Sequence, residues 1–176
     1  MKVDQLRIST PDTIAAKLGS FCEFSPNLLL VFAAPRYFED DNLLSQLKLR
    51  FPDAICVGCS TAGEVSQQGV DDNSAVITAV RFEHTDIRSV STDLIDMSDS
   101  RAAGRRLASE LQTNQLRSVL VFGQGVDING SALIEGMTDV LGNTIPITGG
   151  LAGDNGLFKE TWTLGKTGIS SRAIVA

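Results

Sequence analysis

Histidine is nearly missing from this sequence: there is one, His84, in 176 residues. Tryptophan and tyrosine also occur once each, and cysteine three times. Three cysteines cannot all pair within one chain. So few in such a length point to a reducing compartment, hence the cytoplasm. A zinc site built on Cys56 and Cys59 would need two further ligands, and only Cys22 and His84 are left to supply them. No apolar stretch approaches the ~20 residues of a membrane helix, the longest being residues 28–34. The start, Met1-Lys2-Val3-Asp4-Gln5, lacks the apolar core of a signal peptide. Basic residues are outnumbered 15 to 21, the net charge is −6, and only residues 101–106 gather three arginines. That argues against nucleic acid or an anionic membrane as the main partner.

What is present is an ordinary globular composition, 43% hydrophobic and 20% charged, in a chain long enough for a sizeable core. Leu6 and Ile8 alternate with polar neighbours, a short strand signal. Thr10 and Pro11 offer a helix start, with Ile14, Ala15, Leu18 and Phe21 at helical spacing to about Cys22. Residues 28–34 read as a strand buried on both faces. Asp40 or Asp41 can cap a helix carrying Leu43, Leu44 and Leu47, which stops before Pro52. Residues 54–57 form a strand, then comes Gly58-Cys59-Ser60-Thr61-Ala62-Gly63-Glu64. Residues 65–70 and 75–82 are expected to pair as a hairpin about Asp71-Asp72-Asn73.

The order then recurs. Residues 87–95 read as a strand. Ser98 or Asp99 starts a helix through Leu107 and Leu111, and residues 118–122 form a buried strand. Asn129 or Ser131 caps a helix with Leu133, Ile134, Met137 and Leu141. Residues 145–147 are a short strand, followed by Thr148-Gly149-Gly150-Leu151-Ala152-Gly153-Asp154. Residues 158–164 and 169–176 make a second hairpin. At an offset of 90 (153 − 63 = 90 for the loop glycines) Val31-Phe32 meets Val121-Phe122, Leu47 meets Met137, Ile55 meets Ile145, and both loops end Ala-Gly-acid. The expected class is α/β, with α+β as the alternative. It comprises a tandem duplication of a strand–helix–strand–helix–strand–hairpin unit, with mixed sheets and flanking helices. The halves, about 1–85 and 86–176, are expected to share one domain, because each alone is small for a full core. The ending Arg172-Ala173-Ile174-Val175-Ala176 reads as an unfinished strand, as in a piece of a longer protein.

The two loops, the approach Val119-Leu120-Val121-Phe122 and the segment 129–142 resemble the N-terminal domain of FIST proteins over about residues 25–176. The resemblance implies an intracellular sensory domain of signal transduction that binds a small ligand such as an amino acid-like metabolite. It also implies a C-terminal FIST domain further along the full chain and a signalling partner such as a histidine kinase. One subgroup, the NosP proteins, binds haem and senses nitric oxide beside histidine kinases or cyclic-di-GMP enzymes.

Against that expectation the reactive residues are few. Cys56-Val57-Gly58-Cys59 has CxxC spacing, but on a strand positions three apart face opposite ways; Cys56 reads as core and Cys59 as a loop thiol near ligand. Gly58 to Ala62 nearly matches a nucleophile elbow, yet Ala62 stands where glycine belongs and no helix follows. With no convergent acid–base or metal set, no catalysis is expected. The residues expected to line a ligand are Cys59, Ser60, Thr61, Glu64, Gly149, Gly150 and Asp154, the two carboxylates being suited to an amine. They are equally suited to capping turns, and the paired loops to a hinge between the halves. Asp127 and Asn129 follow a strand end, where sites are often built, with helix capping the preferred role for Asn129. If haem binds through histidine, His84 is the one candidate axial ligand, although beside Glu83, Thr85 and Asp86 it reads as solvated surface.

Overall fold

The structure, a computed structural model, describes residues 1–176. The first half runs β1 (Lys2–Ile8), α1 (Ile14–Gly19), β2 (Leu28–Ala33), α2 (Asn42–Arg50), β3 (Ile55–Ser60), β4 (Glu64–Ser66), β5 (Gly69–Asp71) and β6 (Ala75–Arg81). The second runs β7 (Ser91–Asp93), α3 (Ser100–Leu111), β8 (Val119–Gly123), α4 (Gly130–Leu141), β9 (Ile147–Leu151), β10 (Thr163–Gly165), β11 (Gly168–Ser170) and β12 (Ala173–Val175). No helix is long and apolar enough to cross a membrane.

Helices and strands follow the apolar spacing, with adjusted ends. The helix expected to reach Cys22 stops at Gly19, and a 3₁₀ turn over Pro11–Thr13 precedes it. The Thr10 side chain does not cap; Thr13 Oγ1 donates to the Thr10 carbonyl instead. Asp40, not Asp41, accepts from the Asn42 amide at the start of α2. Asn129 does cap α4, accepting from the Ala132 amide at 3.0 Å, which fixes the chain leaving β8. The strand expected over 87–95 is only Ser91–Asp93.

Two pairings differ from expectation. The second hairpin, expected between residues 158–164 and 169–176, is cut down to β10–β11, and Ala173–Val175 leaves it as β12 of the small sheet, between β7 and β8. The first differs more. Residues 65–70 do not pair with residues 75–82. They fold on themselves as β4–β5, with Gly69 at φ 118° closing the turn, while β6 lies between β1 and β2. The cause is burial: Ala75, Val76, Ile77, Ala79 and Val80 are all within the core, so β6 needs covering strands on both edges. Val65 and Val70 alternate at the surface and pair locally.

The larger sheet has the order β1-β6-β2-β3-β10-β11 and the smaller β7-β12-β8-β9. Within each half the ladder is the same: an N-terminal strand antiparallel to the last strand, that strand antiparallel to the next, and one parallel pair at the end. The β10–β11 hairpin of the second half adds to the first half's sheet through β3, at Thr163↔Cys59 and Leu164↔Gly58. Its counterpart β4–β5 stands as a separate two-stranded sheet.

Three clusters result. Helices α1 and α2 cover one face of the large sheet around Leu29, Val31, Leu43, Leu47 and Ile77. Helices α3 and α4 cover the small sheet around Val121, Leu107, Leu133 and Met137. Between the sheets lie Val57, Cys59, Phe122, Ala152 and Val175, with Phe32 and Phe122 edge to face at 5.5 Å. Each such fully buried aliphatic side chain contributes about 1.5–3 kcal/mol over exposure. Cys56 belongs to the first cluster and Cys59 to the third, as a spacing of three on one strand requires.

Candidate functional site

The two Ala-Gly-acid loops meet. Gly153 N donates to Ser60 O at 2.8 Å, and a Cβ on Gly153 would lie 2.9 Å from Ala62 N. Ser60 N donates to Trp162 O at 2.8 Å and Trp162 N donates to Ser60 Oγ at 2.9 Å, so Ser60, fully buried, clamps the chain entering β10. Gly58, Cys59 and Ser60 belong to β3, and Gly149 and Gly150 to β9, so part of each expected loop is strand. Cys59 is buried between the sheets, and burial pushes its thiol up to about 12. Cys56 is likewise pushed up to about 11. Neither is a thiolate near neutrality, which is what nucleophilic or redox use requires.

The paired carboxylates make internal bonds. Glu64, 1% exposed, accepts from Thr61 Oγ1 at 2.6 Å, Ser74 N at 2.8 Å and Ser74 Oγ at 2.9 Å. Asp154 accepts from the amides of Phe158, Lys159 and Glu160 at 2.9, 2.6 and 3.3 Å. The Lys159 amide above all holds the Asp154 carboxyl below its usual range. Asp154 thereby sets the course of residues 155–161, a stretch without counterpart in the first half.

That stretch walls a hollow of about 510 Å³ at the carboxyl end of β8, within the size range of metabolite sites. Leu94–Asp96, Gln124, Val126–Asp127, Lys159–Thr161 and Ser171–Arg172 line it. Thr161 Oγ1 accepts from Gly125 N at 2.7 Å, joining the added stretch to the end of β8. Gln124 is 7% exposed; its Oε1 accepts from the amides of Val126 and Asp127 at 3.0 and 3.2 Å. That fixes the amide orientation and turns Nε2, which donates to no protein group, to the hollow. Asp127, Glu160, Lys159 and Arg172 take part in no ion pair. The Asp96 carboxyl is held below its usual range, chiefly by the Ser98 hydroxyl and then by the Asp99 and Ser98 amides.

A larger hollow of about 620 Å³ lies on the outer face of α3 and α4. Its charges already satisfy one another: Arg101 reaches Asp139 at 3.0 Å and Glu135 at 3.4 Å. The smaller one, with unpaired charges of both signs and a Gln124 amide nitrogen that no protein group accepts from, is the better site. Sequence reading reached Asp127 through its place after a strand, but the other walls are brought together only by the fold.

His84 lies exposed between the halves, flanked by exposed Glu83, Thr85 and Asp86. Glu83 is taken by the N-terminal amine at 3.0 Å. Haem needs an apolar slot beside its axial ligand, and these residues do not provide one. No group of three or more His, Cys, Asp or Glu side chains is placed to hold a metal ion.

No curated protein matches this chain. The family model described as the FIST N domain matches residues 27–176, from the chain entering β2 to the end of β12, and so takes in both loops and every wall of the hollow. The chain therefore belongs to the FIST family, a family of sensory domains for small ligands.

Proposed function

We propose that this domain senses an amino acid-like metabolite, bound in the hollow at the end of β8. The observation that carries the reading is the set of unpaired groups there: Asp127 and Glu160 of one sign, Lys159 and Arg172 of the other, and the free Nε2 of buried Gln124. Mixed charge in one small cavity suits a zwitterion. The position agrees with the tendency of ligands to bind beyond the carboxyl ends of parallel strands.

Binding would couple to the other half through the chain itself. Lys159 to Thr161 lead directly into β10, which is hydrogen-bonded to β3 of the large sheet. A ligand that draws this segment toward Asp127 favours one setting of β10 over another, a shift between free and bound populations. On this reading Ser60, Thr61, Glu64 and Asp154 act as the hinge that carries the segment, with Cys59 buried between the sheets, while Gly149 and Gly150 lie exposed on the edge strand β9 and take no part. We extend the proposal to a cytoplasmic setting, supported by three unpaired thiols, and to a signalling partner such as a histidine kinase. The domain would relay and not catalyse: the hydroxyls that meet a carboxylate, Thr61 and Ser74 on Glu64, belong to a structural tie, with Ser74 and Glu64 each 1% exposed.

Titration calorimetry with the twenty amino acids tests this. At least one should bind, and Asp127→Ala and Gln124→Ala should each weaken it by about tenfold, the value of one lost charge-assisted contact. Binding unchanged in both variants would remove the hollow as the site.

A further inference from the structure

A strand at the edge of a sheet can recruit another, and the two main sheets end in β1, β11, β7 and β9. Three of these edges are blunted. Strand β1 carries Lys2, Asp4 and Arg7, and the β4–β5 hairpin lies against it, with Arg7 paired to Asp71 and the Gln67 amide donating to Gln5 Oε1. The Asp93 carbonyl on β7 accepts from Arg106 of α3 at 2.8 Å. Strand β11, Gly168–Ser170, is too short to template another. Strand β9, Ile147-Thr148-Gly149-Gly150-Leu151, has no charge, no proline and no covering side chain, and residues 148–151 are exposed.

The first half shows what such an edge holds. Gly58 on β3 and Gly149 on β9 correspond, each in register with a valine, Val31 or Val121, whose carbonyl a Cβ would meet at 1.8 Å. The outer edge of β3 is filled by antiparallel β10, through Leu164↔Gly58 and Ser60 N donating to Trp162 O at 2.8 Å. On β9 the same edge is bare. Val119 N donates to Pro146 O and Ala152 N to Gly123 O, so residues 146, 148, 150 and 152 turn to β8 while Ile147, Gly149 and Leu151 turn away. The amides and carbonyls of those three residues meet no protein group. The hairpin β4–β5, counterpart of β10–β11, does not reach them: residues 61–63 alone join it to β3, whereas residues 152–162 join β10 to β9.

We infer that β9 pairs with β9 of a second copy of this chain, antiparallel across a twofold axis at Gly149. The outward groups are spaced symmetrically about Gly149, so the strand is its own complement. Gly149 faces the partner's Gly149 and Ile147 faces the partner's Leu151, each as a doubly hydrogen-bonded pair, and every free amide finds a carbonyl. The strand is uncharged, so two copies meet on it without a like-charge contact. Exposed apolar side chains border the pairing: Leu151 itself, and Leu120 in register with Thr148 on the neighbouring strand. The two four-stranded sheets become one continuous sheet.

Sedimentation velocity on the chain over a wide concentration range tests this. Wild type should pass from monomer to dimer as concentration rises. In the inferred register Thr148 lies opposite the partner's Gly150; both positions are exposed, and a Cβ on Gly150 meets nothing within 4 Å. Thr148→Lys with Gly150→Lys, and separately Thr148→Glu with Gly150→Glu, set like charges opposite each other at two cross-strand pairs. Each double variant should weaken the dimer by about tenfold or more. An equimolar mixture of the two should restore it, which misfolded proteins would not do. Hydrogen exchange on wild type reads the same contact without variants: the amides of Gly149 and Leu151 should slow as the dimer forms. A wild type that stays monomeric at every concentration overturns the inference and leaves the edge to a strand of a different protein. A dimer that both double variants leave intact, or one that forms with those amides still exchanging freely, places the interface elsewhere and overturns it too. A mixture that stays monomeric while wild type dimerises overturns the twofold register.

Discussion

Replacing Glu64 with alanine should destabilise the protein far more than replacing it with glutamine. The carboxylate is buried and accepts three hydrogen bonds, two of them from Ser74, itself 1% exposed. Ser74 O in turn accepts from Ala34 N at 2.9 Å, tying the start of β6 to the end of β2. Alanine leaves the Ser74 N–H buried without an acceptor, at about 1–3 kcal/mol, and strands two hydroxyls that can partly turn away. A total near 3 kcal/mol follows, which lowers Tm by roughly 6–12 °C in a chain of this size. Glutamine keeps an oxygen for Ser74 and an amide for Thr61 Oγ1, so its cost should be about 1 kcal/mol. Thermal and urea unfolding at pH 7 read both values. Two variants equal within error, or an alanine variant within about 1 kcal/mol of wild type, would refute the argument. A glutamine variant of normal stability that no longer binds ligand would return Glu64 to the role of ligand contact.

Further outcomes follow from single features. Gly58→Ala puts a Cβ 1.8 Å from Val31 O; the β2–β3 ladder must part, costing about 3 kcal/mol or more as a lowered urea midpoint. Asp154 has a carboxyl pKa below its unfolded value of about 3.9, so its stabilisation is complete above that pH and is lost as pH falls through the lower folded value. Asp154→Asn should therefore flatten the acid limb of Tm measured from pH 7 downward. The Cys59 thiol, raised to about 12 by burial, should resist alkylation at pH 8 in the native protein and react at once in urea. Rapid native labelling at Cys59 would contradict its burial.

The periodicities made the class and element order readable, because α1 to α4 and the central strands each bury a continuous face. The first hairpin was misread because Val65 to Val70 and Ala75 to Val80 are equally strand-like as strings. Only the demand of β6 for two neighbours separates them. The repeat was visible at an offset of 90, yet in the structure Gly58 matches Gly149 (149 − 58 = 91) while Glu64 matches Asp154 (154 − 64 = 90). The second loop is thus one residue shorter, and Thr61, which donates to Glu64, has no partner there. The two loops lie in contact through Gly153 and Ser60. The hollow beside them is not legible in the sequence because its walls come from four separate segments.

The hairpin β10–β11 is made by one half and worn by the other. Pulling the second half apart strips an edge from the large sheet, so neither half has an unfolding reaction of its own. A cut near residue 90 would yield two incomplete sheets and no miniature of the whole. The same exchange makes the strand junction at Thr163 and Cys59 a mechanical linkage. Whatever shifts residues 155–161 is felt across the boundary as a displaced strand, without any rigid-body hinge having to open.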